Sequence, residues 1–206
     1  MGLISNGTTL LDGGSLDSGV ATGALVLIKT LTASNSGDLS FINGSSNVVL
    51  DGTYKEYIFK FFDIHPSDSN VDGLEFQAST DGGSSYNTTI TSTYFRSTVD
   101  ESGSNGALAY QASQDQGNGT DYQNITQNIG TDNDQSACGF LHIFNPADTT
   151  FVKHFLARSN NYHQSDKSRD VFTAGYINTT SAINAIQFKT SSGNIDAGTI
   201  KMYGVK

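Results

Sequence analysis

The sequence is short of most residues that helices, redox chemistry and metal sites draw on. In 206 residues it has no Trp, one Cys (Cys138), two Pro, three Glu (Glu56, Glu75, Glu101) and eleven Lys plus Arg. Glu, Lys and Arg populate the exposed faces of helices, so their scarcity excludes a mainly helical fold. A single Cys excludes an intrachain disulfide and a Cys-based metal centre, and Cys138 reads as a small buried hydrophobe. No apolar run approaches the roughly 18 residues of a membrane-spanning helix. The longest, Ala24–Ile28, is the size of a strand. The first residues have no basic n-region, no long apolar stretch and no Ser or Thr at position six, so neither a signal peptide nor myristoylation is expected. Basic charge is scarce too: the net charge is −9. Nucleic acid and anionic membrane surfaces are disfavoured as partners, since each calls for a basic face.

What is present is small and polar. Gly, Ser, Thr and Asn supply 86 residues, and these are the residues of tight turns and solvent-facing strand positions. Twelve Phe and nine Tyr provide material for a core and argue against wholesale disorder. Six N-x-Ser/Thr sequons occur, as expected from so much Asn, Ser and Thr, and carry no glycosylation signal. Turn dipeptides such as Asn43-Gly44, Asp51-Gly52, Asp81-Gly82 and Asn105-Gly106 separate short β-rich runs. About ten strands follow, among them 24–33, 38–43, 54–64, 74–79, 86–96, 140–144, 151–158, 171–178, 182–189 and 199–205. The pattern predicts an all-β fold, a β-sandwich of jelly-roll type over residues 24–206, with a β-barrel as the alternative. Residues 1–23 have little apolar content and read as an extended N-terminal arm. Residues 97–106 and 112–136 read as long loops at one end of the sandwich.

The segment 54–64 is apolar on both sides. Tyr57, Phe59 and Phe61 alternate on one face; Ile58, Phe62 and Ile64 occupy the other. Such a strand is buried on both sides or covered by a partner subunit, which makes Tyr57, Phe59 and Phe61 candidates for a subunit contact. The chemical candidates are weaker. Asp132-Asn133-Asp134 offers oxygens to Ca²⁺ but lacks the closing Glu of a calcium loop, so it reads as a solvated acidic loop. His142 and His154 flank the Asn145-Pro146 turn and read as a cross-strand polar pair without a third metal ligand. Serine-nucleophile and phosphate-loop signatures are absent. No cofactor and no catalytic residue is expected, although paired Asp residues leave a glycosidase formally open. Tyr86, Tyr94, Phe95, Tyr110 and Tyr122 suggest a glycan-facing surface, with Tyr110 and Tyr122 as its best candidates.

Longer stretches carry a resemblance. YIFKFFDIHP (Tyr57–Pro66), LEFQASTDGGSSY (Leu74–Tyr86), STYFR (Ser92–Arg96), TDNDQSACGFLHIFN (Thr131–Asn145), TFVKHF (Thr150–Phe155), AGYINTTSA (Ala174–Ala182) and INAIQFKTSSGNIDAGTIKMYG (Ile183–Gly204) resemble a family of virion structural proteins of tailed bacteriophages of marine bacteria, cyanobacteria especially. The resemblance covers about residues 24–206 and is most specific at Phe188–Gly204. It implies a virion component, a capsid decoration protein or a subunit of a tail, neck or fibre appendage. Its expected partners are further copies of itself, with a homotrimer as first expectation, and other virion proteins through the N-terminal arm. A host surface glycan is expected if the appendage touches the cell. Expected alternatives are a receptor- or carbohydrate-binding module and, further off, a polysaccharide depolymerase.

Overall fold

The computed structural model describes residues 24–69 and 73–206, together with the backbone of three short strands before them. Those three, β1 (Leu3–Ser5), β2 (Thr8–Asp12) and β3 (Ser15–Leu16), form an antiparallel sheet of their own. The rest of the expected arm lies outside the described residues.

The body is all-β, as the composition requires; no helix occurs among the described residues. A nine-stranded antiparallel sheet contains β4 (Leu25–Ser36), β6 (Glu56–Pro66), β8 (Ile90–Asp100), β9 (Ala107–Tyr110), β10 (Gly117–Gly119), β12 (Ala137–Phe144), β13 (Lys153–His163), β14 (Lys167–Ile177) and β16 (Ile195–Val205). A four-stranded antiparallel sheet contains β5 (Leu39–Ile42), β7 (Leu74–Ser79), β11 (Gln123–Asn124) and β15 (Ala185–Thr190). The order across the large sheet is β10-β8-β14-β13-β12-β6-β16-β4, with β9 also paired to β8; across the small sheet it is β11-β7-β15-β5.

Eight strands obey one rule. Taken in chain order, β4, β5, β6, β7, β11, β12, β15 and β16 pair from the outside in: β4 with β16, β5 with β15, β6 with β12, β7 with β11. Successive pairs fall alternately in the large and the small sheet. The two segments β8–β10 and β13–β14 are inserted into this nest and widen the large sheet on one side.

The sheets face each other across an aromatic core, and the molecule is a β-sandwich. Phe41 and Phe188 of the small sheet meet Phe59 of the large one at ring distances of 5.2 and 5.4 Å, and Phe76 meets Phe155 at 5.1 Å, edge to face. Ring pairs in this geometry add to the burial of their area. Tyr57, Phe59 and Phe61 are fully buried in this core. They make no surface, which overturns their candidacy as a subunit contact: the inner side of β6 is covered by the chain's own small sheet. The Tyr57 hydroxyl donates to the Asp51 carbonyl at 2.9 Å, so its polar end is satisfied as well.

β6 is apolar on both sides and carries a bulge at Asp63, whose φ is +51°. The extra residue reverses the alternation, and Ile64, expected on the outer side with Phe62, turns into the core. The segment 112–136 also departs from expectation. Its middle is an interior lining, not a loop at the end of the sandwich. Beyond β11, the edge of the small sheet, residues 125–129 run beneath β8, β13 and β14: Tyr94 donates to the Thr126 carbonyl at 2.9 Å, Ser159 to the Ile125 carbonyl at 2.6 Å, and Asn161 and Arg169 to the Gln127 carbonyl at 3.0 and 3.4 Å. Ile125 and Ile129 are fully buried there. Residues 97–100, expected in a loop, continue β8.

Candidate functional site

The large sheet has a second face, which the small sheet does not cover. Its side chains follow from strand alternation and register. One cross-strand row reads Lys201, Lys60, Phe140, Arg158, Phe172, Phe95, Tyr110 from β16 to β9. The next reads Leu27, Tyr203, Ile58, His142, Leu156, Ala174, Thr93 from β4 to β8. Leu27, Phe95, Phe140, Leu156 and Tyr110 are all substantially exposed.

The rings on this face are engaged with one another. Phe95 and Phe172 stack in parallel at 4.8 Å, and the Arg158 guanidinium lies 4.7 Å from the Phe172 ring centre. Arg158 also makes a two-point bond to Asp170, Nε to Oδ1 at 3.1 Å and Nη2 to Oδ2 at 2.8 Å. That carboxylate raises the guanidinium pKa above its ordinary value. Lys60 and Lys201 stand over the Tyr203 and Phe62 rings at 5.6 and 5.5 Å. With their faces taken by neighbours, Phe95 and Phe172 cannot both present the flat platform on which a sugar ring stacks. Two shallow depressions mark the face. One, of about 340 Å³, is lined by His154, Leu156, Ala174, Tyr176, Thr91 and Thr93. The other, of about 380 Å³, is lined by Cys138, Phe140, Arg158, Asn160 and Asp170.

Cys138 is exposed on this face, contrary to the reading of it as a buried hydrophobe. β12 alternates Ala137, Gly139, Leu141 and Ile143 inward, which turns Cys138, Phe140, His142 and Phe144 outward. Its thiol accepts from the Asp63 amide at 3.3 Å. Partial desolvation, reinforced by the Asp63 carboxylate, pushes the thiol pKa up, so it stays protonated and weakly nucleophilic. His142 and His154 share this face but do not pair: His142 lies opposite Leu156 and its Nδ1 meets Glu56 Oε1, while His154 lies opposite Tyr176.

The aromatic residues proposed as one glycan-facing set are dispersed. Tyr94 is buried. Tyr110 is about half exposed on the outer face of the large sheet, where its hydroxyl donates to Asp115. That bond holds the phenol above its ordinary pKa. Tyr122 lies on the opposite side of the sandwich, against the outer face of the small sheet. Its hydroxyl meets Gln187 and the Lys189 ammonium stands 4.1 Å from its ring centre. Desolvation, aided by Tyr86, Asp38 and Glu75, pushes its pKa up to about 12. One platform formed by Tyr110 and Tyr122 together is therefore excluded.

Of the acidic loop, Asp134 lines a cleft of about 420 Å³ with Asp63, His65 and Asp196. Among the described residues, no group of three or more His, Cys, Asp or Glu side chains is placed to hold a metal ion. Sequence reading missed the outer aromatic rows, since Phe172 and Phe140 join Phe95 only through strand order. No protein-family model, no curated protein and no solved structure matches the chain.

Proposed function

We propose that the chain is a structural component of a bacteriophage virion, a capsid decoration protein or a subunit of a tail, neck or fibre appendage, and that it acts as a homo-oligomer without enzymatic activity. The observation that carries this reading is the resemblance concentrated in FKTSSGNIDAGTIKMYG, Phe188–Gly204. In the fold this stretch supplies the second half of β15 and nearly all of β16, interior strands of the two sheets. The body is read as a jelly roll, the arrangement of many virion subunits; the outside-in pairing of its eight strands supports that assignment. In this reading the chain is made in the host bacterial cytoplasm and is built into the particle. The segment before residue 24 docks on other virion proteins, and three copies assemble around one axis. Neither nucleic acid nor membrane is a partner.

The test is quantitative mass spectrometry of purified particles. The chain is expected at a fixed copy number, in the hundreds for a capsid position and in the tens for an appendage. Its absence from particles made by cells that synthesise it would overturn the reading.

A second reading, recognition of a host glycan, draws on Tyr110 alone, since its ring is exposed on the sheet. It requires glycan-array binding that Tyr110→Ala abolishes and Tyr122→Ala leaves intact; no binding by the wild-type chain removes it.

A further inference from the structure

We infer that the outer face of the nine-stranded sheet is the surface covered by a neighbouring copy of this chain, an assignment that rests on the proposed oligomeric virion role. Ten large hydrophobic residues are exposed among the described ones, and nine of them project from this face, Phe62, Phe95, Leu108, Tyr110, Phe140 and Leu156 included. The tenth, Phe151, lies between β12 and β13. Scattered exposed apolar residues are normal on a soluble protein, but concentration on one face marks an interaction surface.

Area and charge point to the occupant. From β4 to β8 the face spans seven neighbouring strands, most of them eleven residues long. At about 4.8 Å between strands and about 3.3 Å per residue that is roughly 1,000 Å². A stable interface takes roughly 800 Å² per partner. On the central strands of the face Lys60, Lys201 and Arg158 stand against Glu56 and Asp170, while Asp63 and Asp196, and Asp115 and Glu101 bonded to Tyr110 and Tyr162, add negative charge toward its margins. The whole chain carries −9, so the centre of the face is less acidic than the chain as a whole. Two copies meeting through the aromatic centre of this face bring less like charge together than the average surface of so acidic a chain. A polyanionic partner finds no net attraction here. Aromatic residues with an Arg at the centre and few free charges are also the composition of interface cores.

Cys138, exposed on the face and the chain's only thiol, is a built-in reporter. The experiment combines light-scattering mass with maleimide labelling of the full chain at micromolar concentration, for wild type, Leu156→Glu and Phe140→Glu. Leu108→Lys is added as a milder variant at the sheet edge, and thermal melts confirm folding. The expected result is an oligomeric wild type whose Cys138 is labelled about tenfold or more slowly than in monomeric Leu156→Glu, because labelling then waits on opening of the contact. An oligomer labelled at the variant's rate, with its mass unchanged by Leu156→Glu and Phe140→Glu, overturns the assignment and leaves the virion reading standing. A monomeric wild type with an open thiol also overturns it. In that case particle mass spectrometry decides separately whether the virion reading survives.

Discussion

Gln77 shows how much of this fold depends on one buried amide. Its Nε2 donates toward the carbonyls of Thr88, Thr120 and Asp121 at 3.0, 3.1 and 2.9 Å, and its Oε1 accepts from the Thr88 hydroxyl at 2.6 Å. The residue is fully buried, and it ties two crossing segments to β7. Gln77→Leu keeps the volume but strands those acceptors, and should cost about 3 kcal/mol in urea unfolding. His163 governs a pH dependence. It is buried, its Nδ1 accepts from the Ser165 amide at 2.9 Å, and desolvation with Arg169, Lys167 and Arg96 lowers its pKa from 6.5 to about 4. Below its ordinary pKa the unfolded chain takes up a proton that the folded chain refuses, so stability falls as pH drops from 6.5 toward 4. Melting temperatures across that window should decline, and His163→Gln should flatten the decline. Neither role was legible in the sequence. A Gln in an alternating strand reads as solvent-facing until the segments that cross over it are known, and Cys138 reads as buried until the parity of its strand is known.

At the scale of the element, parity is what sequence reading could not settle. β6 and β12 are apolar on both sides, so alternation alone does not say which side meets the core. The choice follows from long-range register. Gly139 faces Phe61, and Gly175 faces Phe155. A Cβ on Gly175 would stand 2.3 Å from the Thr91 carbonyl oxygen and 2.9 Å from the Phe155 ring. One on Gly139 would stand 2.6 Å from the Phe61 ring. The glycines make room for the rings that join the two sheets. Gly175→Ala should therefore cost about 3 kcal/mol by overpacking, whereas Gly106→Ala, which meets open space, should leave the denaturant midpoint nearly unchanged. Strand existence was legible at nearly every long element because alternation and turn dipeptides are local. Strand ends, the two- and three-residue strands β10 and β11, and the inward course of 125–129 depend on partners distant in sequence.

For the whole molecule, composition sufficed for the all-β sandwich, and the turn residues for its longer strands, but about ten strands are expected where the two sheets hold thirteen, nine and four. The inequality of the sheets was not legible, because β8–β10 and β13–β14 join the large sheet through pairings no local pattern encodes. Outside-in pairing also sets the pace of folding. β16 enters between β4 and β6, so the large sheet cannot close until segments some 170 residues apart in the sequence have met. Refolding from urea, followed by tyrosine fluorescence, should run on the millisecond-to-second scale of folds dominated by non-local pairs. The same pairing has a topological consequence. Val205 lies opposite Leu25, and the Lys206 amide donates to the Ala24 carbonyl at 3.0 Å. The body is thus nearly a closed ring of chain. A short linker from 206 to 24, with new ends opened in the exposed 102–106 turn, should give a circular permutant that keeps the sandwich. In the natural order, whatever precedes residue 24 departs from the same corner of the body at which residue 206 lies.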